Sequence, residues 1–491
     1  MAKVTTIIDI GSNSMRMVVL KKSSRFAFNL INETKSRVKI SEGSYENNGY
    51  LQDIPMQRAY DSLKSFLSIS TSLQSRKIIC VATSALRDAP NSKEFLKRIS
   101  QELKLNIRII DGVKEAYYGG VAALNLLHAK DCMTIDIGGG STEFCFIKNG
   151  KIEKSMSLNI GTIRLKELYF DKDDIEGAKD YILHNLNDIL DYTNDIPRII
   201  VGIGGTIRAL SKLVMKRTNY PLDVIHGFEY NVKKNNAIFS DILNSKNHDD
   251  LKEIGIKKDR YDTIKEGTFI FETIINAFDI KKVIASGAGV REGIYLTDLL
   301  RTSNHKFPSN FNPSVKSLLD RFEMDNKQSV YAGSNAAKIF QVLKPLHKID
   351  DKYEILLVIA SKLHSIGVVL NFYNNTDNTF DFILNGLNYD FLHTSRVLIA
   401  HIIKFSKKSL PKQKDIEIFE ELLPPIEIVQ WLSFMITLNL TLNQDFSRLK
   451  YTYELSDKEL IITSDDIPYI VNSNVDKIET PKNCTIKLVK S

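Results

Sequence analysis

Residues 7–20 and 134–147 carry the same pattern twice in one chain. The first segment reads IIDIGSNSMRMVVL and the second reads TIDIGGGSTEFCFI, and they align without a gap, so that Asp9 matches Asp136. An apolar run, a turn of glycine, serine or asparagine, and a second apolar run predict a β-hairpin. The repeated hairpin therefore predicts two related α/β domains that face each other.

Strand and helix signals alternate after each of the two hairpins. In the first half the pattern predicts a strand and loop at 76–86, a helix at Ser92–Leu103, a strand at 106–111 and a helix at 114–128. In the second half, 198–213 and 281–300 each read as a strand, a glycine turn and a helix. Alternation of this kind favours an α/β fold with mixed sheets.

The character of the sequence changes after about residue 300. Residues 303–314 are polar and contain prolines, which is typical of a linker. Helical periodicity follows at 315–321, 337–346, 352–371 and 394–407, and strand-like alternation at 448–489. We therefore predict domains at 1–125, 126–302 and 303–491, the last being a helical region with a small β-containing appendage.

Charge and cysteine content narrow the class of protein only slightly. The 491 residues include 66 basic and 59 acidic ones, and the net charge of +7 suits a polyanionic ligand, although a slightly basic solvated surface explains it more simply. Four cysteines without a CxxC pair indicate a reducing compartment. Since neither a signal peptide nor a long apolar segment is recognisable, we expect a cytoplasmic protein without membrane contact.

The turns of the two hairpins are candidates for binding phosphate. Backbone N–H groups bind phosphate where glycine lets it approach closely. Tight hairpins use the same residues without a ligand, but two copies in register, each after an aspartate, favour phosphate. A third candidate lies between a strand and a helix, where a simple turn explains the pattern equally well. The candidate residues are Ser12, Asn13 and Ser14, then Gly138, Gly139, Gly140 and Ser141, and finally Gly204, Gly205 and Thr206.

Several charged residues lie beside these turns. Asp9, Asp136 and Glu143 offer the hard oxygen ligands that Mg²⁺ prefers, although turn capping or simple surface exposure also explains them. Glu115 opens a predicted helix, where a glutamate more often serves the helix terminus than catalysis. Arg16 and Arg87 offer a planar fork for phosphate oxygens, but either is equally compatible with an exposed surface position.

Taken in order, the motifs resemble one protein family. DIGSNSMR, VATSALRDAPN, IIDGVKEA, TIDIGGGSTEF, GIGGTIRAL and SGAGVREGI occur in the order and at the spacing of the exopolyphosphatase/guanosine pentaphosphate phosphohydrolase (Ppx/GppA) family, across 5–300. The resemblance implies two actin-like (ribonuclease H-like, ASKHA) domains with the active site in the cleft between them. It further implies a mainly helical, HD-like C-terminal domain with a small α+β appendage.

The resemblance also assigns an activity and roles to residues. It implies removal of the terminal phosphate from polyphosphate or guanosine pentaphosphate, with Mg²⁺ as cofactor and Glu115 as the base that activates water. Arg16, Ser84 and Arg87 become phosphate-contacting groups, and Arg260 matches a family arginine near the nucleotide or phosphate chain. The expected partners are polyphosphate or guanosine penta- or tetraphosphate and a second copy of the chain in a homodimer. Nucleic acid is not an expected partner.

The predicted HD-like region lacks part of a metal site. His347 and His364 fit the pattern of the longer family members, but Ser365 stands where a metal-binding HD motif needs aspartate, and Asn378 stands at a position often held by histidine. A second metal-dependent site is therefore not expected. We expect this region to bind substrate or to mediate dimerisation.

Two other classes of function share parts of this pattern. An ATP-dependent sugar or acetate kinase of the same superfold also has aspartate–glycine hairpins, but the VATSALRDAPN and GVKEA segments point away from it. A non-catalytic sensor of the alarmone or of polyphosphate would keep the binding turns. The acidic residues Glu115, Asp136 and Glu143 argue against the sensor.

Overall fold

The computed structural model describes residues 3–192 and 195–491. The chain divides into two compact units, Met1–Phe311 and Asn312–Ser491. This division falls within the segment 303–314 that the sequence pattern marks as a linker. The boundary after residue 125 between the two actin-like domains stays a prediction.

The first sheet of unit 1 is built around the first hairpin. Its strands are ordered β3-β2-β1-β4-β5, with β1 antiparallel to β2 and parallel to β4. Both strands of the hairpin are buried along most of their length, and Ile8, Ile10 and Met17 belong to the hydrophobic core of this half. The strands are β1 Val4–Ile10, β2 Met15–Lys22, β3 Phe28–Ser36, β4 Lys77–Ala82 and β5 Ile107–Ile109. The helices are α1 Asp53–Ser72, α2 Ser84–Asp88, α3 Ser92–Leu103 and α4 Gly112–Leu126.

The second sheet repeats the arrangement around the second hairpin. Its order is β10-β11-β9-β6-β7-β8, with β6 antiparallel to β7 and parallel to β9. The strands are β6 Cys132–Ile137, β7 Thr142–Lys148, β8 Lys151–Leu158, β9 Ile199–Ile203, β10 Glu229–Asn231 and β11 Lys282–Ala285. The helices are α5 Thr162–Leu168, α6 Ile175–Tyr192, α7 Gly204–Arg217, α8 Asn236–Leu243, α9 His248–Ile254, α10 Ile264–Ala277 and α11 Val290–Leu299. The prediction of two hairpins in mixed sheets is confirmed.

In each hairpin, the aspartate of the first strand lies opposite a charged residue of the second strand. Asp9 lies opposite Arg16 in the first hairpin, and Asp136 lies opposite Glu143 in the second. Because the parallel neighbours β4 and β9 end beside these aspartates, the loops after them emerge at the same edges of the sheets. This is the edge at which both sheets present polar side chains.

Helix α4 connects the two halves of unit 1. It begins just after β5 of the first sheet and packs against β7 and β8 of the second sheet and against α11. The contact with α11 is close, because a Cβ at Gly293 would lie 1.9 Å from the carbonyl oxygen of Tyr118. The first turn of α4, which carries Glu115, is therefore fixed between the two sheets.

Unit 2 is a helical region followed by a three-stranded sheet of order β12-β13-β14. Its helices are α12 Pro313–Arg321, α13 Asn326–His347, α14 Lys352–Leu363, α15 Asn375–Gly386, α16 His393–Lys404, α17 Gln413–Ile416, α18 Ile426–Leu442 and α19 Tyr469–Val475. Its strands are β12 Thr452–Ser456, β13 Glu459–Ser464 and β14 Thr485–Lys490. The predicted appendage is therefore present, whereas the HD-like character of the helices stays a prediction.

Several helices of unit 2 were missed or misjudged from the sequence: α13 begins at Asn326 rather than at 337, and α15 was not predicted. The predicted helix 352–371 ends at Leu363, because the chain turns where the N–H of Gly367 donates to Thr379 Oγ1. Helix α18 was not predicted, since it is apolar on nearly all sides and shows little helical periodicity. The structure identifies this helix by the burial of most of its side chains, which the sequence pattern does not show.

No single helix in the described part of the chain is long and apolar enough to cross a membrane. By length and composition alone, one bent pair meets that test together, Gln413–Leu422 and Ile426–Leu442, with an angle of 110° between its halves.

The substitution Gly293→Ala is expected to destabilise unit 1 by about 1–3 kcal/mol, because the added methyl group overlaps the backbone of α4. A matched control is Gly119→Ala, whose methyl group would meet Ile203 Cδ1 at 3.2 Å and which also gains helix propensity. Differential scanning calorimetry should show a clear fall in Tm for Gly293→Ala and a much smaller change for Gly119→Ala. Equal changes would contradict close packing of α4 on α11.

Candidate active site

A small cavity lies between the turns of the two hairpins, and we name it the central cavity. Its volume is about 150 Å³, and the two turns, the start of α7 and the first turn of α4 form its walls. Of the residues predicted from the sequence, those lining it are Asp9, Ser12, Asn13, Ser14, Arg16, Ser84, Glu115, Asp136, Gly138, Gly139, Ser141, Glu143, Gly204, Gly205, Thr206 and Arg260. Residues from six separate segments of the chain thus meet at one point.

Two predicted phosphate contacts lie outside the lining of this cavity. Arg87 Nη1 donates to the carbonyl oxygen of Ile110 at 3.1 Å and lies 3.7 Å from Glu115 Oε2, and Arg87 is not among the residues that line the cavity. Gly140 is enclosed, since a Cβ there would lie 2.8 Å from Ser84 Oγ. This geometry gives no support to direct phosphate contacts by Arg87 and Gly140.

Glu115 occupies the first turn of α4. Asp111 caps this helix, and its Oδ1 accepts a hydrogen bond from the N–H of Lys114 at 2.6 Å. Burial, and next the neighbouring carboxylate of Glu143, raise the pKa of Glu115 well above its ordinary value, while Arg87 opposes the shift. Glu115 Oε2 is buried without a hydrogen-bond partner among the described residues. Such an oxygen is free to accept a proton from a molecule in the cavity.

Glu143 is buried rather than exposed. Its Oε1 accepts hydrogen bonds from Ser141 Oγ at 2.5 Å and Ser157 Oγ at 3.0 Å. Burial, followed by the charge of Asp136, raises its pKa to about 8. Burial also raises the pKa of Asp9 to about 6 and shifts that of Asp136 upward. The site therefore concentrates acidic groups that need a cation or protons to remain buried.

The three predicted metal ligands do not form a ready-made site. In residues 3–192 and 195–491, no three His, Cys, Asp or Glu side chains are grouped as a metal site. Glu143 is engaged by two serines, and Asp136 packs against Gly204, where a Cβ would lie 2.1 Å from its Oδ1. Mg²⁺ commonly uses only one or two carboxylates, together with phosphate oxygens and water. The carboxylates of this site therefore fit a Mg²⁺ ion that is bound by one or two of them together with phosphate oxygens and water, and not an ion whose ligands all come from the protein.

Two arginines in the cavity wall were missed from the sequence. Arg208 is held by the carbonyl oxygens of Gly204 and Gly287, at 2.7 and 3.0 Å, and burial lowers its pKa to about 10. Arg291 is 4% exposed, and its Nη1 has no hydrogen-bond partner among the described residues. Each follows a glycine turn by a few residues, which is the signal that could have identified them. A buried, partly unpaired guanidinium favours an anionic ligand.

Arg260 reaches the cavity from the segment before α10. Its guanidinium lies directly over Gly205, where a Cβ would be 2.3 Å from both terminal nitrogens. Only glycine leaves room for this approach. Burial lowers the pKa of Arg260, and the nearby Arg16 lowers it further. The lining of the cavity therefore combines four arginines with four acidic residues, namely Arg16, Arg208, Arg260, Arg291, Asp9, Glu115, Asp136 and Glu143.

The sequence of this chain matches the pattern of the Ppx/GppA phosphatase family over residues 18–302. The chain belongs to the Ppx/GppA family. It is 31% identical over 296 residues to a bifunctional 3-dehydroquinate synthase/phosphatase of Fusobacterium nucleatum, which covers 57% of this chain and 44% of that protein. The chain therefore spans less than half the length of that relative. It is 25% identical over 430 residues to a guanosine-5'-triphosphate,3'-diphosphate pyrophosphatase of Pseudoalteromonas translucida, covering 83% and 82% of the two chains.

Solved structures show the same fold. A Ppx/GppA family member from Aquifex aeolicus superposes with a TM-score of 0.53 at 25% identity, covering 62% of this chain and 99% of that one. An exopolyphosphatase from Cytophaga hutchinsonii gives a TM-score of 0.56 at 21% identity, with 62% and 100% coverage, and shows the fold alone. The predicted actin-like fold is confirmed as that of the Ppx/GppA family, whose members include hydrolases.

The histidines predicted for an HD-like site are engaged by the backbone. His347 Nδ1 accepts from the N–H of Ile349 at 2.8 Å, so its Nε2 donates to the carbonyl oxygen of Phe340 at 2.9 Å. His364 Nδ1 lies 2.8 Å from the carbonyl oxygen of Ser361. Burial lowers the pKa of both rings. His347 thus has no nitrogen left for a metal in this Ppx/GppA protein.

The substitution Glu143→Gln is expected to flatten the pH dependence of stability of the metal-free protein. Because folding raises the pKa of Glu143 to about 8 from an ordinary 4.5, the folded protein keeps a proton that the unfolded chain releases. This proton contributes a few kcal/mol to the free energy of unfolding. The contribution is fully present below the pKa of Glu143 in the unfolded chain, and it is lost as the pH rises through the pKa of Glu143 in the folded protein. Thermal unfolding in chelator between about pH 5 and pH 8 measures this. The exposed control Glu94→Gln should keep the wild-type slope, and an unchanged slope in Glu143→Gln would contradict the shift.

The substitution Gly205→Ala is expected to reduce kcat/KM about 10- to 100-fold with little loss of stability, because the methyl group displaces the flexible guanidinium of Arg260. The same change in an Arg260→Ala background should have almost no further effect, since the displaced group is already absent. Steady-state phosphate release is measured for the wild type, Gly205→Ala, Arg260→Ala and the double variant. The four values give the coupling free energy between positions 205 and 260. Additive losses would show that Gly205 acts independently of Arg260.

Proposed function

We propose that the protein hydrolyses the terminal phosphoanhydride of inorganic polyphosphate or of guanosine pentaphosphate, which converts the latter to guanosine tetraphosphate. The observation that supports this best is Glu115 Oε2, which is buried without a hydrogen-bond partner among the described residues, 3.7 Å from Arg87 Nη1, in a cavity that the two glycine turns and Arg291 also line. The name of the Pseudoalteromonas relative supports the guanosine substrate, and that of the Cytophaga neighbour supports polyphosphate.

The turns and the arginines would bind the substrate. Backbone N–H groups of the two turns, which line the central cavity, would donate to phosphate oxygens. The N–H of Gly138 would not take part, because it donates to the carbonyl oxygen of Ser141 at 2.9 Å. Arg208 and Arg291 would compensate the charge of the terminal phosphoryl group, which spreads over its outer oxygens as the reaction proceeds. Binding of this anion would also supply a partner to Arg291 Nη1, which has no hydrogen bond among the described residues.

Glu115 would act as the general base. Its carboxylate accepts a proton from a water molecule as the oxygen of that water attacks the terminal phosphorus in line. The new phosphorus–oxygen bond forms while the bridging bond to the next phosphate breaks. The products are orthophosphate and a chain shorter by one phosphate. A raised pKa suits this role, because a base with a pKa nearer the working pH takes a proton more readily.

Mg²⁺ is the proposed cofactor. Asp136 and Asp9 would hold it together with phosphate oxygens, since both carboxyl groups line the cavity and Glu143 is engaged by serines. When bound, such an ion neutralises phosphate charge and helps to orient the chain. Its presence would also favour the ionised form of the acids that burial otherwise protonates. Action in the cytoplasm as a homodimer completes the proposal.

The decisive variant is Glu115→Gln, which keeps the size of the side chain but removes its basicity. Phosphate release from tripolyphosphate and from guanosine pentaphosphate with Mg²⁺ is expected to fall about 10²- to 10⁴-fold. Substrate binding measured by calorimetry should persist. The exposed control Glu94→Gln should retain wild-type rates. Tight binding without turnover by the wild-type protein would instead support a sensor, and ATP-dependent phosphorylation of a small acceptor would support a kinase.

A further inference from the structure

A separate cavity of unit 1 lies at the opposite end of the first sheet from the central cavity, and we name it the distal cavity. Its walls come from the start of β1, the end of β2, the turn between β2 and β3, and the end of α11 with the two residues after it. Its volume is about 210 Å³. The lining includes Lys3, Thr5, Lys22, Arg25, Asp298 and Arg301.

Two elements of the fold reach both cavities, but with opposite ends. Strand β1 contributes Thr5 to the distal cavity and Asp9 to the central cavity. Helix α11 contributes Leu299 to the distal cavity and Arg291 to the central cavity. Four residues of a strand span about 13 Å, and eight residues of a helix span about 12 Å. One compact ligand therefore cannot touch both cavities, and the distal cavity would be a binding site of its own.

Four cationic side chains line the distal cavity, namely Lys3, Lys22, Arg25 and Arg301. The two lysines are neighbours, because the N–H of Lys22 donates to the carbonyl oxygen of Lys3 at 3.1 Å. In residues 3–192 and 195–491, none of the four forms an ion pair. The carboxylate of Asp298, which also lines the cavity, pairs with Lys77 Nζ at 2.5 Å. The mutual repulsion of the four cations would therefore be relieved by a bound anion.

Arg25 is held at the cavity by aromatic rings. Its guanidinium lies 5.0 Å from the centroid of the Phe26 ring. Phe26 in turn makes edge contacts with Phe311 at 5.5 Å and with Phe307 at 6.4 Å between ring centroids. A guanidinium stacked in this way keeps its N–H edge free to donate to oxygen atoms. Arg25 is thus positioned before any ligand arrives.

The size and the donors of the distal cavity limit the class of ligand. Cavities that hold drug-sized organic ligands measure about 300–1,000 Å³, so a volume of about 210 Å³ suits a smaller molecule. Two guanidinium forks and two ammonium groups suit an anion with many exposed oxygen atoms and more than one negative charge. A compact anion with linked phosphate groups combines these properties.

We propose that the distal cavity binds a compact anion with at least two phosphate groups, such as inorganic pyrophosphate. Lys3, Lys22, Arg25 and Arg301 supply the compensating charge. The site lies away from Glu115 and needs no hydrolysis, so it stands whether or not the proposed catalytic function holds.

Protection of arginine side chains from phenylglyoxal, read by mass spectrometry, locates pyrophosphate on the full-length protein. Arg25 and Arg301 are both exposed and therefore accessible to the reagent. Saturating pyrophosphate without Mg²⁺ should slow the modification of both several-fold. The control is Arg108, an exposed arginine on β5 outside the lining, which should react at an unchanged rate. Full reactivity of Arg25 and Arg301 would overturn the proposal.

The concentration that gives half of the full protection measures the affinity of the distal cavity alone. Pyrophosphate should protect Arg25 and Arg301 at about tenfold lower concentration than orthophosphate, because its second phosphate group meets further cationic donors. Equal concentrations for the two anions would contradict a site for linked phosphate groups.

The substitution Arg301→Ala should raise the concentration of pyrophosphate that protects Arg25 about tenfold, since a charge-assisted hydrogen bond is lost. Arg301→Lys keeps the charge and should lose less. The matched control Arg108→Ala removes the same charge from an exposed position outside the lining and should leave the protection of Arg25 unchanged. Equal losses in Arg301→Ala and Arg108→Ala would show a general attraction of anions to a basic protein and would overturn the site.

The substitution Asp298→Asn should have the opposite effect. It removes a negative charge from the lining and releases Lys77, so pyrophosphate should protect Arg25 at several-fold lower concentration. The control Asp61→Asn removes an exposed carboxylate on α1 outside the lining and should change nothing. Unchanged or weaker protection in Asp298→Asn would contradict recognition of the anion by the charges of this cavity.

Discussion

The burial of unlike charges at one point between two sheets dominates this structure. Glu115, Glu143, Arg208 and Arg291 line the same cavity, and two of their polar atoms, Glu115 Oε2 and Arg291 Nη1, have no hydrogen-bond partner among the described residues. Burial of this kind costs several kcal/mol per ion unless each charge is compensated. The dense packing of α4 against α11 and the second sheet supplies the rigidity that keeps these groups in place. A phosphate chain with a cation is a ligand that would compensate both signs at once.

The two halves of unit 1 are also joined by weaker contacts at the rim of the cleft. Lys35 pairs with Asp259 at 2.6 Å, and Asp262 accepts from Arg37 and Lys39 at 2.6 and 2.8 Å. These side chains are about one-third exposed or more, and ion pairs in such positions contribute little to stability. These ion pairs at the rim therefore stabilise the site less than the buried contacts between α4 and α11 do.

The site also illustrates how residues from one motif take different roles. Ser84 and Arg87 come from the same short helix, yet Ser84 faces the central cavity and Arg87 turns toward Glu115. Positions three apart lie on the same side of a helix, so the two side chains take different partners although they share a face. Arg87 lowers the pKa of Glu115 against the effect of burial. Its contribution to the site is therefore electrostatic and acts on Glu115.

The sequence by itself determined the two hairpins, the aspartates at their ends and the glycine turns, because strand alternation and turn chemistry are local properties. It also placed most of the cavity lining correctly through the order of its motifs. Only the tertiary structure brought Arg208 and Arg291 into the wall, turned Arg87 away and showed that Glu143 is buried rather than exposed. Those outcomes depend on contacts between segments far apart in the chain. The desolvation of a side chain in particular depends on every group around it. No local sequence pattern could therefore have revealed that Glu115 Oε2 is buried without a hydrogen-bond partner among the described residues.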